Sequence, residues 1–299
     1  MDRPSSDRSK PRDPKGEGPA RPSLEAGLYI VATPIGNLRD ITLRALDVLG
    51  AADLLLAEDT RVTGKLLAAY GLGPRMLSYH EHNADAARPK VLAALAEGKA
   101  VALVSDAGTP LISDPGFKLV RQAAAAGHRI VPIPGASAAL AALVTAGLPT
   151  DRFLFAGFPP AKAGARAAFL AELAEIDATL VFYETGPRLK ASLEAMATAF
   201  GGREGAIGRE LTKMFEEVRR GSLTGLAAAI DAPPKGEIVV LVGPPAASHT
   251  GWSDDDIDAV LRPLLSTLSV KEAAAQVAET LGVPRRAAYA RALIVRDEP

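Results

Sequence analysis

From residue 28 the chain alternates short apolar runs with longer stretches of helical spacing. Leu28–Ala32, Asp53–Ala57, Met76–Tyr79, Ala100–Val104 and Ile130–Ile133 read as buried strands, because short, near-continuous apolar runs suit a sheet covered on both faces. Between them, Ile41–Leu49, Arg61–Tyr70, Ala84–Glu97, Pro115–Ala126 and Ser137–Ala146 carry helical patterns. This alternation predicts a mostly parallel sheet with helices on both faces. Ligands of such sheets bind beyond the carboxyl ends of the strands. The turn-rich Gly147-Leu-Pro-Thr-Asp151 marks a boundary, and a second α/β set follows. Its expected strands are Phe153–Gly157, Thr179–Glu184, Gly205–Glu210 and Glu237–Val242; its expected helices are Ala165–Ile176, Pro187–Phe200 and Ser222–Ile230. Pro244 through Gly251 reads as a linker, and Ser253–Asp297 as wholly helical. There, Lys271–Leu281, the turn Gly282-Val-Pro284 and Arg285–Val295 form a helix-turn-helix pattern. The expected organisation is a tail at 1–26, α/β domains at 27–148 and 149–245, and a helical module at 253–299.

Composition narrows the chemistry. With 34 basic and 35 acidic residues the net charge is −1, so a polyanionic partner must be met by a local patch rather than by bulk charge. The absence of cysteine excludes disulfides, Cys-ligated metals and a thiol nucleophile. Residues 1–26, rich in proline and interspersed charge, read as a disordered tail without the apolar core of a secretory signal. Ile130–Leu148 is too interrupted by proline and glycine to span a bilayer. The expectation is a cytoplasmic protein with no membrane partner.

Three loops follow apolar strands and open helices: Thr33-Pro-Ile-Gly-Asn37, Ser105-Asp-Ala-Gly-Thr-Pro-Leu-Ile-Ser-Asp-Pro-Gly116 and Pro134-Gly-Ala-Ser137. Asp40, Asp114 and Ser137 read as helix caps, with Pro115 in a first turn. Glycines let backbone approach a ligand, and free amides at a helix start suit an anion. Neither the dinucleotide fingerprint nor a Walker pattern is present. Polar clusters fall at strand ends: Glu58-Asp59-Thr60-Arg61, Tyr79-His80-Glu81-His82-Asn83, Tyr183-Glu184 with Arg188, and Arg209-Glu210-Leu-Thr212-Lys213. Each alone also suits an ordinary cap or solvated turn. His80-x-His82 shows no third ligand, so no metal is expected. The last helix carries Arg285, Arg286, Arg291 and Arg296 with Tyr289 among them, and residues 285, 289, 292, 293 and 296 fall near one face, a pattern for gripping RNA or a solvated helix packed on the body. Lys162 and Arg166, after Gly157-Phe-Pro-Pro160, would add to that surface.

In order, Leu28-Tyr-Ile-Val-Ala-Thr-Pro-Ile-Gly-Asn37, Ala57-Glu-Asp-Thr-Arg61, His80-Glu-His-Asn83, Leu103-Val-Ser-Asp-Ala-Gly-Thr-Pro110, Asp151-Arg-Phe153, Phe182-Tyr-Glu184, Arg209-Glu-Leu-Thr-Lys213 and Lys235-Gly-Glu237 resemble the tetrapyrrole methylase superfamily, and within it the branch acting on ribosomal RNA. The resemblance implies two α/β domains with a cofactor cleft between them, a homodimer, and S-adenosylmethionine as cofactor. It also implies 2′-O-methylation of a cytidine ribose in the decoding region of small-subunit rRNA. Where the superfamily's C-methyltransferases carry Gly-Asp-Pro, this chain has Gly108-Thr109-Pro110, which fits the rRNA branch.

The cofactor residues carried over are Pro34, Ser105, Asp106, Gly108, Thr109, Leu111, Ile112, Ala136, Ser137, Tyr183, Glu184 and Leu211. A ribose hydroxyl is a weak acid and needs a base or cationic partner; by type and placement the candidates are Glu58, Asp59, His80 and Lys213. Arg61, Arg188, Arg285 and Arg286 are the expected RNA contacts. A tetrapyrrole C-methyltransferase and a non-catalytic RNA-binding assembly factor remain the alternative readings.

Overall fold

The computed structural model describes residues 23–113, 116–245 and 252–297. The apolar runs form two five-stranded sheets. The first contains β1 (Gly27–Val31), β2 (Leu54–Ala57), β3 (Met76–Ser78), β4 (Ala100–Val104) and β5 (Ile130–Ile133), in the order β3-β2-β4-β1-β5. Every pairing is parallel. Alternate residues of β4 feed opposite cores. Ala100, Ala102 and Val104 pack with α1 (Leu43–Ala51) and α2 (Thr60–Ala69); Val101 and Leu103 pack with α3 (Ala84–Ala96) and α4 (Phe117–Ala125). Both faces are covered, as the unbroken apolar runs require.

One helix start differs from expectation. Asp40 does not cap α1: it ends a single 3-10 turn, Leu38–Asp40, capped by Asn37. Thr42 takes the capping role, its hydroxyl accepting from the Ala45 N–H at 3.1 Å. The cap assigned to Asp114 and the first-turn place of Pro115 lie outside the described residues, as do residues 1–22 of the expected tail and 246–251 of the linker. The last part of that tail docks: the Tyr29 hydroxyl donates to the Glu25 carbonyl at 2.8 Å, and Glu25 pairs with Arg129.

The second sheet contains β6 (Phe153–Gly157), β7 (Thr179–Thr185), β8 (Glu204–Arg209), β9 (Glu217–Ser222) and β10 (Glu237–Val242), in the order β6-β7-β10-β8-β9. Only β6 and β7 run parallel. One face holds α6 (Ala163–Glu172), α7 (Gly186–Phe200) and α8 (Leu223–Ala228) against Leu180, Phe182, Ile238 and Val240. β9, Glu-Val-Arg-Arg-Gly-Ser, was not expected: it has no apolar alternation and is held as an edge strand by its ladder with β8, its charges suiting an exposed edge. The helix expected from Ser222 shortens to α8, with Ser222 as its cap.

The opposite face of this sheet is covered by α5 (Ala138–Ala146), which follows directly from β5 of the first sheet. Ala139, Ala142 and Ala146 let it sit close to Val239, Leu241 and Ala206. At its far end Arg220, from β9, donates to the carbonyls of Ala146 (3.1 Å) and Thr145, two acceptors the helix leaves unpaired. One helix thus fixes the two sheets relative to each other.

The C-terminal helices are α9 (Asp254–Leu265), α10 (Val270–Leu281) and α11 (Arg285–Asp297). Capping boxes at Ser253/Asp256 and Ser269/Glu272 start the first two, and Gly282, left-handed at φ 67°, ends the second. Ala288, Ala292 and Val295 point inward, so position 292 does not belong to the exposed face on which the sequence pattern placed it. Arg291 is also turned inward, making a bidentate contact with Asp258 at 2.6 and 2.5 Å, while Arg285, Arg286 and Tyr289 remain exposed. Among the described residues no helix is long and apolar enough to cross a membrane.

Candidate active site

A cavity of about 390 Å3 opens where the carboxyl ends of the first sheet meet the second. Its walls come from Ile35, Glu58, the loop Asp106–Thr109, Ile112 and Ser113, the start of α5 at Ser137, the ends of β6 to β8, and Gly236–Val239. Of the carried-over cofactor positions, Asp106, Gly108, Thr109, Ile112, Ser137, Tyr183, Glu184 and Leu211 line it.

Pro34, Ser105, Leu111 and Ala136 do not line the cavity; three of these positions belong to the loop layer that shapes it. Thr33 and Gly108 exchange backbone hydrogen bonds at 2.8 and 3.0 Å. The Thr33 hydroxyl donates to the Ser105 carbonyl, and the Thr109 hydroxyl to the Ala136 carbonyl, each at 3.2 Å. The three loops singled out in the sequence are therefore stitched into one unit. Leu111 turns away and packs against the α3–α4 face of the first sheet.

Four non-glycine residues among those described have positive φ: Leu111 (72°), Ser113 (65°), Glu210 (50°) and Thr212 (68°). All four lie in the two loops that face each other across the cavity. Such conformations cost of order 1–3 kcal/mol each and persist where the surroundings over-determine them, as at ligand sites. The second loop is anchored by Lys213, whose ammonium meets the Glu210 carboxylate at 2.9 Å. Two glycines make room for this pair: a Cβ on Gly36 would lie 2.4 Å from the Lys213 stem, and one on Gly236, at φ +95°, 2.1 Å from the Glu210 carboxylate.

The proton-acceptor candidates separate clearly. Glu58 lines the cavity, and its pKa is raised, first by burial and then by the charge of Asp106. Asp59 caps α2 and pairs with Arg61 at 2.6 Å; the guanidinium and the Arg61 N–H hold its carboxyl down to about 2. His80 is not in the cavity wall, and its Nδ1 is buried without a hydrogen-bond partner. His80 and His82 sit 6.0 Å apart, and among the described residues no group of His, Asp or Glu is arranged to hold a metal. Lys213 lines the wall already paired.

Of the expected RNA contacts, Arg188 is engaged internally, with Nε 3.2 Å from the buried Glu184 and a terminal nitrogen on the Pro159 carbonyl. Arg61 is exposed while paired with Asp59. Arg285 and Arg286 are exposed at the start of α11. Sequence reasoning gave no role to Gly36, Gly236, Glu210 or Phe158. The motifs Thr33-Pro-Ile-Gly-Asn37, Lys235-Gly-Glu237, Arg209–Lys213 and Gly157-Phe-Pro-Pro160 contained the signal for all four.

Residues 27–227 match the family described as Tetrapyrrole (Corrin/Porphyrin) Methylases, and residues 253–295 match the description RsmI C-terminal HTH domain. The chain is 55% identical over 285 residues to ribosomal RNA small subunit methyltransferase I of Mesorhizobium japonicum, covering 94% of this chain and 96% of that one. The protein of the same name from Pseudomonas aeruginosa is 46% identical, covering 90% and 98%. Among solved structures, uroporphyrin-III-C-methyltransferase from Thermus thermophilus (TM-score 0.53, 24% identity, 73% of this chain and 94% of that one) and a diphthine synthase (TM-score 0.54, 16% identity, 72% and 89%) share the fold. The chain belongs to the tetrapyrrole methylase family, in its ribosomal RNA small subunit methyltransferase I branch.

Proposed function

We propose that this protein transfers a methyl group from S-adenosylmethionine to the 2′-oxygen of a cytidine ribose in the decoding region of small-subunit rRNA. The observation that carries the reading is the pairing of a strained cleft containing Glu58 with a helical module presenting Arg285 and Arg286. The named relatives support the RNA substrate.

The cavity suits such a cofactor. Its volume of about 390 Å3 lies within the ~300–1,000 Å3 of small-molecule sites, and apolar Ile35, Leu211, Ile238 and Val239 alternate with polar Asp106, Ser137 and Glu184. Asp106 and Gly108 would hold the methionine end; Ser137, Tyr183, Glu184 and Leu211 would hold the remainder, largely through backbone. When bound, S-adenosylmethionine supplies a methyl already activated on a sulfonium. The chain's own task is orientation, worth up to roughly 7–11 kcal/mol, and proton management. Glu58 accepts the proton lost by the ribose hydroxyl as oxygen gains its methyl. Its raised pKa brings it closer to neutral pH, where a general base works best. Lys213, fixed by Glu210, places positive charge beside the cavity for the developing oxyanion or a neighbouring phosphate.

In this reading the enzyme works in the cytoplasm as a homodimer. Leu140 and Val144, exposed one turn apart on α5, offer apolar surface for a second copy. The test is incubation of purified protein and cofactor with isolated small subunits, followed by nuclease digestion and mass analysis. The expected product is 2′-O-methylcytidine; a base-methylated nucleoside, or no transfer, overturns the proposal.

A further inference from the structure

Phe158 lines the same cavity as Glu58, yet half of its surface remains exposed. A large apolar ring left open inside a cleft calls for an explanation, and its mounting is rigid. The pairing of β6 with β7 shifts register between Phe155 and Gly157, and Gly157 takes φ +68°; a bulge of this kind re-aims the residue that follows. Pro159 and Pro160 then restrict the chain on the other side.

Arg188 donates to the Pro159 carbonyl and is itself held by Glu184, a fully buried carboxylate that also accepts from the Thr185 N–H at 2.8 Å and from the Ser192 hydroxyl. Tyr183 meets the Phe158 ring edge-to-face with centroids 5.6 Å apart, and is backed by Phe155 at 4.8 Å. Across the cleft, the loop carrying Ile112 and Ser113 comes close: a Cβ on Gly157 would lie 3.5 Å from the Ser113 hydroxyl. Ile112 is the other half-exposed apolar side chain in that wall.

Resting on the reading above, we propose that Phe158 and Ile112 form a slot that takes the nucleobase of the target nucleotide, Phe158 supplying the stacking face. An enzyme working on one nucleotide of a structured RNA must draw it out of its stack, and extruded bases are held between aromatic and apolar side chains. The slot lies in the cavity wall with Glu58, so a base held there keeps its own ribose within the cleft. Glu184 and Arg188 are then positioning residues: they fix Pro159, and through it the ring.

The test uses the full-length protein and isolated small subunits. Phe158→Ala should lower kcat/KM for the subunit by roughly 5- to 150-fold, the range that loss of one base–aromatic stack gives. Cofactor affinity measured by calorimetry should stay within about twofold, because the ring is assigned to the base alone. Phe158→Tyr, which keeps the ring face, should recover most of the loss; Phe158→Leu, which keeps bulk without a π face, should not. Equal activity of the Leu and Tyr variants would reduce the position to packing and overturn the proposal. So would a loss of cofactor affinity in Phe158→Ala matching its loss of activity, which would assign the ring to the cofactor. Wild-type protein that transfers no methyl to the subunit would instead sink the functional reading, and the slot with it. An active wild type with an unimpaired Phe158→Ala variant would sink the slot alone.

Discussion

Arg291→Ala is expected to unfold the C-terminal helices while leaving the two sheets intact. The Asp258 carboxylate that Arg291 grips from α11 lies on α9, with only 8% of its side chain exposed, and both of its oxygens accept from the guanidinium. Asp254 adds a longer contact at 3.6 Å. Removing one partner strands a buried charge, a loss of about 3–5 kcal/mol. The core beneath is rich in alanine, Ala273, Ala274, Ala278, Ala288 and Ala292, and so buries little apolar area per residue. A small core of this kind rarely supplies more than ~3–5 kcal/mol, so the cost of breaking the pair is comparable to the whole stability of the unit.

Hydrogen exchange read by mass spectrometry is the direct assay. Amides of α9, α10 and α11 should lose protection in Arg291→Ala, while β4, β7 and β10 keep theirs. The double variant Arg291→Met with Asp258→Leu should regain protection, since an apolar pair of similar bulk replaces a buried ion pair at little cost. Unchanged protection in Arg291→Ala accompanied by weaker RNA binding would refute the reasoning and return Arg291 to the RNA surface.

Glu58→Gln should cut methyl transfer by about 10²- to 10⁴-fold, the usual worth of a general base. Because folding raises the Glu58 pKa, the wild type loses stability as pH climbs from the ordinary carboxylate value through the raised one; the Gln variant should therefore melt higher at neutral pH, the gap closing in acid. A gap that widens in acid would contradict this. Arg285→Glu with Arg286→Glu should weaken subunit binding and flatten its log–log salt dependence by roughly 0.7 for each single-strand phosphate no longer neutralised, with cofactor affinity unchanged; a drop in cofactor affinity as well would indicate a folding role. Arg220→Ala should cost about 1–2 kcal/mol by stranding the carbonyls at the end of α5, and should raise the cofactor dissociation constant, because α5 sets the cleft; calorimetry reads both, and a stability loss without the affinity change would separate the helix from the site.

The first sheet was legible because its strands carry their own evidence. Parallel strands covered on both faces must be apolar throughout, and turns of glycine and proline punctuate them. β9 was not legible, since an edge strand needs only a neighbour's backbone and Glu217–Ser222 has no apolar pattern. Asp40 and Thr42 show the same limit on a smaller scale: both residue types cap helices, and the geometry of the preceding turn chose the threonine. At the site, types and loops could be read, but not which of four candidate groups faces the cavity without an ion-pair partner. Asp59 and Glu58 are neighbours in the chain, yet one is spent on α2 and Arg61 while the other is desolvated beside Asp106.

By itself the sequence determined the alternation of strands and helices, the family through its ordered motifs, and the loops that build the cleft. These follow from local chemistry: apolar periodicity, glycine and proline geometry, and caps. The tertiary structure alone decided which arginines are free to meet a partner, since Arg188 and Arg291 find carboxylates while Arg285 and Arg286 are exposed. It alone placed α5 as the brace between sheets and left Phe158 open in the cleft that Glu58 also lines. Charge pairing, burial and cavity shape depend on groups distant along the chain, so they take their values only once the chain has packed.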